Sequence, residues 1–189
     1  SQSWVSCGVG EKSQLVIVNP DSVELCEDGE VGEIWVSSET VGKGYWNQPE
    51  KTELTFHASL KGFPEKYFLR TGDLGFLRKG ELFVTGRLKD LIILQGRNLY
   101  PQDLEHCVEQ SHPSLPLGST AAFSVEEKGR EQLIIVQELG RHYREYDLQE
   151  VTASIQKALR HTHQLTPYHL VLIRPFSIAK TTSGKIQRH

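Results

Sequence analysis

The sequence predicts an α+β fold, in which a small mostly-β part is followed by a small α+β domain. Three observations lead there. Up to about Gly86 the chain carries short β-type runs separated by turn residues, and beyond it helical and strand patterns follow one another. The 38% hydrophobic and 24% charged side chains of the 189 residues are enough to bury a core in one or two domains.

The β-type runs of the first half are Gln14 to Asn19, Gly32 to Ser37, Tyr67 to Thr71 and Glu81 to Thr85. Asn19-Pro20-Asp21, Asp28-Gly29 and Lys79-Gly80 punctuate them as turns. Trp35, Phe68 and Phe83 are available for packing, which suits a small twisted sheet or partial barrel, with a helix over Pro49 to Ala58. In the second half, Pro101 suits the first turn of a helix running to about Ser111. Strands follow at Ser119 to Val125 and Gln132 to Glu138, then a long helix from about Asp147 to His161 and a last strand, His169 to Arg174. The boundary between the halves is expected near Gly86 to Asp90, which leaves a second domain of about 100 residues. No internal repeat or low-complexity segment interrupts either half.

Charge and apolar patterning exclude several classes of function. With 21 basic and 24 acidic residues interspersed along the chain, there is no basic stripe for a nucleic-acid backbone or an anionic membrane. Apolar runs such as Leu91 to Leu94 are far too short for membrane insertion, and a cytoplasmic location is expected. Cys7, Cys26 and Cys107 are an odd set without C-x-x-C spacing, so buried or idle thiols are expected rather than a disulfide framework or a zinc site. His161 and His163 lie two apart and point to different faces of a helix, so no metal site is expected there. The absence of methionine, at position 1 and elsewhere, leads to the expectation that the chain is a piece of a longer protein.

Three segments carry candidate chemistry. In Arg70-Thr71-Gly72-Asp73 a strand is expected to end at the glycine and present Asp73 in the following turn. Its carboxylate either accepts hydrogen bonds from vicinal hydroxyls, as on a ribose, or organises the turn itself. Gly86-Arg87-Leu88-Lys89-Asp90 offers the donor fork of Arg87 for hydroxyl or phosphate oxygens, with Lys89 and Asp90 expected to keep water contact; the alternative is an exposed basic turn. In Lys180-Thr181-Thr182-Ser183-Gly184-Lys185, small residues let a backbone approach an anion and Lys185 supplies a point charge. A Walker loop is excluded, because it needs glycine where Ala179 stands and Ser or Thr where Ile186 stands.

In this order and spacing the segments resemble the C-terminal motif series of the adenylate-forming superfamily. That series also takes in Gly32-Glu33-Ile34-Trp35-Val36, Gly44-Tyr45-Trp46, Gly96 through Glu105, and Thr182 through Arg188. The resemblance covers almost the whole chain and implies roles residue by residue. Asp73 would hold the ribose hydroxyls of ATP or the acyl adenylate, with Arg87 assisting. Lys89 would be the pivot of the small domain, and Lys185 the catalytic cation reaching the carboxylate and α-phosphate oxygens during adenylation. Residues 1–86 would be the last, β-rich subdomain of a large N-terminal adenylation domain, 87–90 the hinge, and 91–189 a mobile C-terminal domain.

Within the superfamily the chain is most similar to fatty acyl-AMP ligases, through Trp4 to Gly8, Leu69 to Phe76 and the run from Leu91 to Asp103. Ile93 stands where CoA ligases often carry a basic residue. The implied reaction joins a fatty acid to ATP, with Mg2+, to give acyl-AMP and pyrophosphate, and then passes the acyl group to the phosphopantetheine thiol of an acyl carrier protein. The family places its phosphate loop, adenine motif and acyl tunnel upstream, so the chain alone is expected to be inactive. Rival readings are an acyl-CoA or aryl-CoA ligase, an amino-acid adenylation domain and, from another class, a catalytically silent interaction module.

Overall fold

The computed structural model describes residues 4–10 and 15–188. The expected strand residue Gln14 lies outside them. The chain divides into two compact units, Ser1–Lys89 and Asp90–His189, and its architecture is the expected α+β.

The first unit is an antiparallel sheet of β1 (Leu15–Val18), β2 (Gly32–Val36), β3 (Ala58–Ser59), β4 (Tyr67–Arg78) and β5 (Glu81–Arg87). The order is β1-β2-β4-β3, and β5 also pairs with β4. Helix α1 (Pro49–Phe56) starts with proline in its first turn and packs on β3 and β4. Val16, Val18, Trp35, Leu60 and Phe68 form the buried core of this unit. Trp35 and Phe68 meet at 6.3 Å, while Phe83 stacks on Phe76 at 5.0 Å. Strand β4 overturns one expectation: it runs on through Gly72 and Asp73 instead of ending there. Two ladders hold it beyond the glycine: pairing with β5 begins at Asp73, and pairing with β2 resumes at Leu74.

The second unit opens with a short hairpin, β6 (Ile92–Leu94) and β7 (Arg97–Leu99). Gln95 and Gly96 both take positive φ between these strands, the geometry of a two-residue I′ turn. Then come α2 (Pro101–Glu109), β8 (Thr120–Glu127), β9 (Arg130–Glu138), α3 (Leu148–His163) and β10 (His169–Ile173). The sheet order is β10-β9-β8, with β8 antiparallel and β10 parallel to the central strand. A parallel pair needs a long crossover, which the α3 segment supplies.

Helix α3 forms where the pattern places it. Asp147 caps it by accepting the Gln149 N–H at 2.8 Å, and Val151, Ile155 and Leu159 repeat every four residues on its buried face. Gln164 ends it in the left-handed conformation, with its N–H donating to Arg160 and the Leu165 N–H to Leu159, a Schellman closure. On α2, Leu104 and Val108 are fully buried and Glu105 shares their face. Both helices contribute to one core with Ala122, Leu133 and Ile135 of the sheet and Ile92 and Leu99 of the hairpin.

No helix among the described residues is long and apolar enough to cross a membrane. The thiols depart in part from expectation, because Cys7 is exposed while Cys26 and Cys107 are half-buried. Burial, and after it the Glu30 charge, pushes the Cys26 thiol up to about 11, which keeps it protonated and unreactive at neutral pH.

Ile155→Ala empties a fully buried position at the centre of the α3 face and is expected to cost about 2–5 kcal/mol. Urea unfolding followed by circular dichroism checks this, with exposed Leu148→Ala as the control, expected within about 1 kcal/mol.

Candidate functional site

Asp73 owes its position to a bulge. Across the β2–β4 ladder, Glu33 faces Leu74 and Trp35 faces Arg70. Two steps on β2 therefore match four on β4, and Thr71, Gly72 and Asp73 bow out of the regular pleat. Gly72 has φ +72°, and a side chain there would meet nothing within 4 Å, so the backbone conformation rather than space demands glycine.

A buried carboxylate holds the bulge. Glu33 is 2% exposed, and four donors satisfy it. Its Oε2 accepts from Arg70 Nε at 3.0 Å, Arg70 Nη2 at 2.7 Å and Trp35 Nε1 at 2.9 Å, while Oε1 accepts the Gly72 N–H at 3.1 Å. A buried charge persists only with such pairing. Thr71 completes the frame, donating its hydroxyl to the Ile34 carbonyl at 2.7 Å and accepting the Asp73 N–H at 3.0 Å.

On its other edge β4 brings Asp73 opposite Arg87, and Arg87 Nε donates to Asp73 Oδ1 at 3.1 Å. Arg87 therefore sits at the end of β5, not in a basic turn. Both side chains keep solvent access, at 57% and 40% exposure for Arg87 and Asp73. A carboxylate oriented by a guanidinium but still open is suited to accept hydrogen bonds from the hydroxyls of a ligand.

Lys89 is exposed in the 3-10 turn Leu88–Asp90 that follows β5. Asp90 corrects an expectation, because its side chain is 12% exposed and lies 3.7 Å from the Arg188 guanidinium, rather than in water.

Lys185 belongs to the second unit, on a closed hairpin near its C-terminal end. Lys180 bridges Ile186, the Thr181 N–H donates to the Lys185 carbonyl at 2.8 Å, and the Gly184 N–H donates to the Thr181 carbonyl at 2.9 Å. Thr181 Oγ1 accepts the Lys185 N–H at 3.0 Å. Gly184 takes φ +82° at the reversal, a conformation suited to glycine. The Lys185 residue is exposed, so a fixed backbone carries a cation into solvent.

The structure thus brings Asp73 and Arg87 together within the first unit and places Lys185 on its own braced loop in the second. Reading the residues in order overlooked Glu33 and Thr71 as the frame behind Asp73. The available signal was an acidic residue inside the apolar run Gly32-Glu33-Ile34-Trp35-Val36, with Arg70 as a candidate partner on a neighbouring strand.

Residues 89–189 match the family model described as Disco-interacting protein 2-like, AMP domain. Over 97% of its length the chain is 52% identical to a medium-chain-fatty-acid–[acyl-carrier-protein] ligase, JamA, of Moorena producens, of which it covers 31%. It is 40% identical over 97% of its length to FadD21 of Mycobacterium tuberculosis, named a putative fatty-acid–CoA ligase, covering 33% of that protein. In a structural study of fatty acyl-adenylate ligases from E. coli and L. pneumophila, one chain superposes with a TM-score of 0.78 at 29% identity, over 99% of this chain and 32% of that one. The chain spans about a third of the length of these relatives.

Glu33→Ala leaves Arg70, Trp35 Nε1 and the Gly72 N–H without their shared acceptor, and is expected to destabilise the chain by about 3–5 kcal/mol. The urea midpoint checks this. A change under about 1 kcal/mol would show that the carboxylate does not hold the bulge.

Proposed function

The chain belongs to the Disco-interacting protein 2-like AMP-domain family of adenylate-forming proteins, and on that premise we propose that it is the C-terminal part of a fatty acyl-AMP ligase. It lies close to fatty-acid ligases within the adenylate-forming superfamily. In the proposed reaction a fatty acid attacks the α-phosphorus of ATP, giving acyl-AMP and pyrophosphate, and the acyl group then passes to a carrier-protein thiol. JamA, whose name gives an acyl carrier protein as acceptor, supports the carrier over CoA.

The observation that carries the reading is the exposed Lys185 on a hairpin whose backbone is closed on itself. Attack of a carboxylate on a phosphate gathers negative charge, and a cation held in place beforehand stabilises that charge without reorganising. Asp73, steered by Arg87, would accept the ribose hydroxyls through its carboxylate oxygens. Exposed Lys89, at the end of the first unit, would be the pivot about which residues 91–189 turn between the two half-reactions. Among the described residues no group of three His, Cys, Asp or Glu side chains could hold a metal ion, so no residue here is assigned to magnesium, which would enter with ATP as substrate.

In the full-length protein, Lys185→Ala is expected to slow acyl-AMP formation by about 100-fold or more. Pyrophosphate release with a fatty acid and ATP measures this, with CoA and a carrier protein offered separately as acceptors. Transfer to the carrier but not to CoA fits the proposal. Efficient acyl-CoA formation would move the protein to the CoA ligases, in keeping with the name of FadD21, and absence of any adenylate would leave a silent interaction module.

A further inference from the structure

The Lys185 hairpin is anchored at both ends by buried carboxylates. At its entry, Glu138, 8% exposed at the end of β9, accepts the Ile178 N–H at 2.9 Å. At its exit, Arg188 donates from Nε and Nη2 to the two oxygens of Glu105 at 2.8 and 2.7 Å. Glu105 is itself 8% exposed on α2, and its Oε1 also accepts the Ala122 N–H of β8 at 3.0 Å. Arg188 Nη1 lies 3.7 Å from Asp90 Oδ2, and the Arg188 side chain is only 15% exposed. The guanidinium therefore ties three segments together: the hairpin, the inner face of α2 and the residue next to Lys89. The Glu105 hydrogen bonds raise the Arg188 pKa against the opposing effect of burial, so the guanidinium keeps its charge.

Two parallel bonds from a rigid fork fix direction as well as distance. The bonds that hold Lys185 to the hairpin are made by its backbone N–H and carbonyl. Where the ammonium is presented depends on the hairpin, and the hairpin's C-terminal strand is held two residues later by Gln187 on Ala179 and three residues later by Arg188 on Glu105.

We propose that Arg188, through its bidentate pair with Glu105 and its contact with Asp90, is the positioning residue that presents Lys185 for the adenylation half-reaction. The proposal rests on the reading of Lys185 given above. Arg188 touches no substrate; it acts through the lysine. Its loss slows the step in which charge builds at phosphorus, and spares the transfer step, in which no phosphate is attacked.

The test uses the full-length protein with Arg188→Ala, Arg188→Lys, Lys185→Ala and the double variant Lys185→Ala/Arg188→Ala. A further pair, Glu105→Gln with Arg188→Met, removes both charges and leaves no carboxylate of α2 unpaired, which keeps the test open if Arg188→Ala does not fold. Adenylation is followed by pyrophosphate release, and transfer by acylation of carrier protein from supplied acyl adenylate. Expected are a kcat for adenylation lowered about tenfold or more by Arg188→Ala, with KM for the fatty acid changed by less than about threefold. Arg188→Lys recovers only part of the loss. The double variant is no slower than Lys185→Ala by more than about twofold, and transfer stays within about threefold of wild type. Wild-type adenylation in Arg188→Ala or in the neutral pair would overturn the proposal. So would a multiplicative loss in the double variant, or transfer falling as far as adenylation. An unchanged rate in Lys185→Ala would instead overturn the functional reading on which the proposal rests.

Discussion

A carboxylate taken out of water must be given donors, and that requirement organises this chain. The buried acidic residues among those described are Glu33, Glu105 and Glu138. Each accepts a backbone N–H from another segment: Gly72 in the bulge of β4, Ala122 on β8, and Ile178 at the entry to the Lys185 hairpin. Glu33 and Glu105 also take a bidentate or forked guanidinium, from Arg70 and Arg188. Apolar replacements would fill the same space without the desolvation cost. What the carboxylates add is direction, since each fixes a backbone group at one place, and Glu33 and Glu105 fix a guanidinium as well.

The consequences differ between the two units. In the first, irregularity is the purpose: the ladder between β2 and β4 gives up regular pairing over Thr71 to Asp73, and Glu33 and Thr71 take over the bonds that the pleat would have made. Asp73 is thereby turned toward Arg87 while remaining open to solvent. In the second unit the apolar core of α2, α3 and the three-stranded sheet provides the rigid body. The hairpin carrying Lys185 is built as an exposed extension braced from that body at both ends. In both units the candidate side chain is exposed and its support is buried, the arrangement expected of a preorganised site.

Much of this was legible in the sequence, because the signals were local. The helical pattern from about Asp147 to His161 and the first-turn Pro101 placed the helices to within about two residues, the usual disagreement over helix ends. The motifs of Asp73, Arg87 and Lys185 could be read in order along the chain. What escaped were features that depend on partners far apart. Glu33 meets Arg70 and Gly72 across a ladder, and Arg188 meets Glu105 from the opposite end of the second unit. The continuation of β4 past Gly72 was hidden for the same reason: a glycine with positive φ looks like a terminator until neighbouring strands are seen to pair beyond it. Strands β6 and β7 are three residues each, too short for any periodicity, and their Gln95-Gly96 turn lacks the usual Asn or Asp.

The central claim is that buried carboxylates hold solvent-open residues in place for a nucleotide, and binding of an acyl-adenylate analogue tests it most directly. Calorimetric titration of the full-length protein with a non-hydrolysable acyl sulfamoyl adenosine would compare wild type with Asp73→Asn and Glu33→Gln. The account predicts affinity weakened about tenfold or more in Asp73→Asn, and a smaller loss in Glu33→Gln, which touches no ligand and acts only through the bulge. Wild-type affinity in Asp73→Asn would contradict the account, since the bulge and its buried support would then serve no nucleotide.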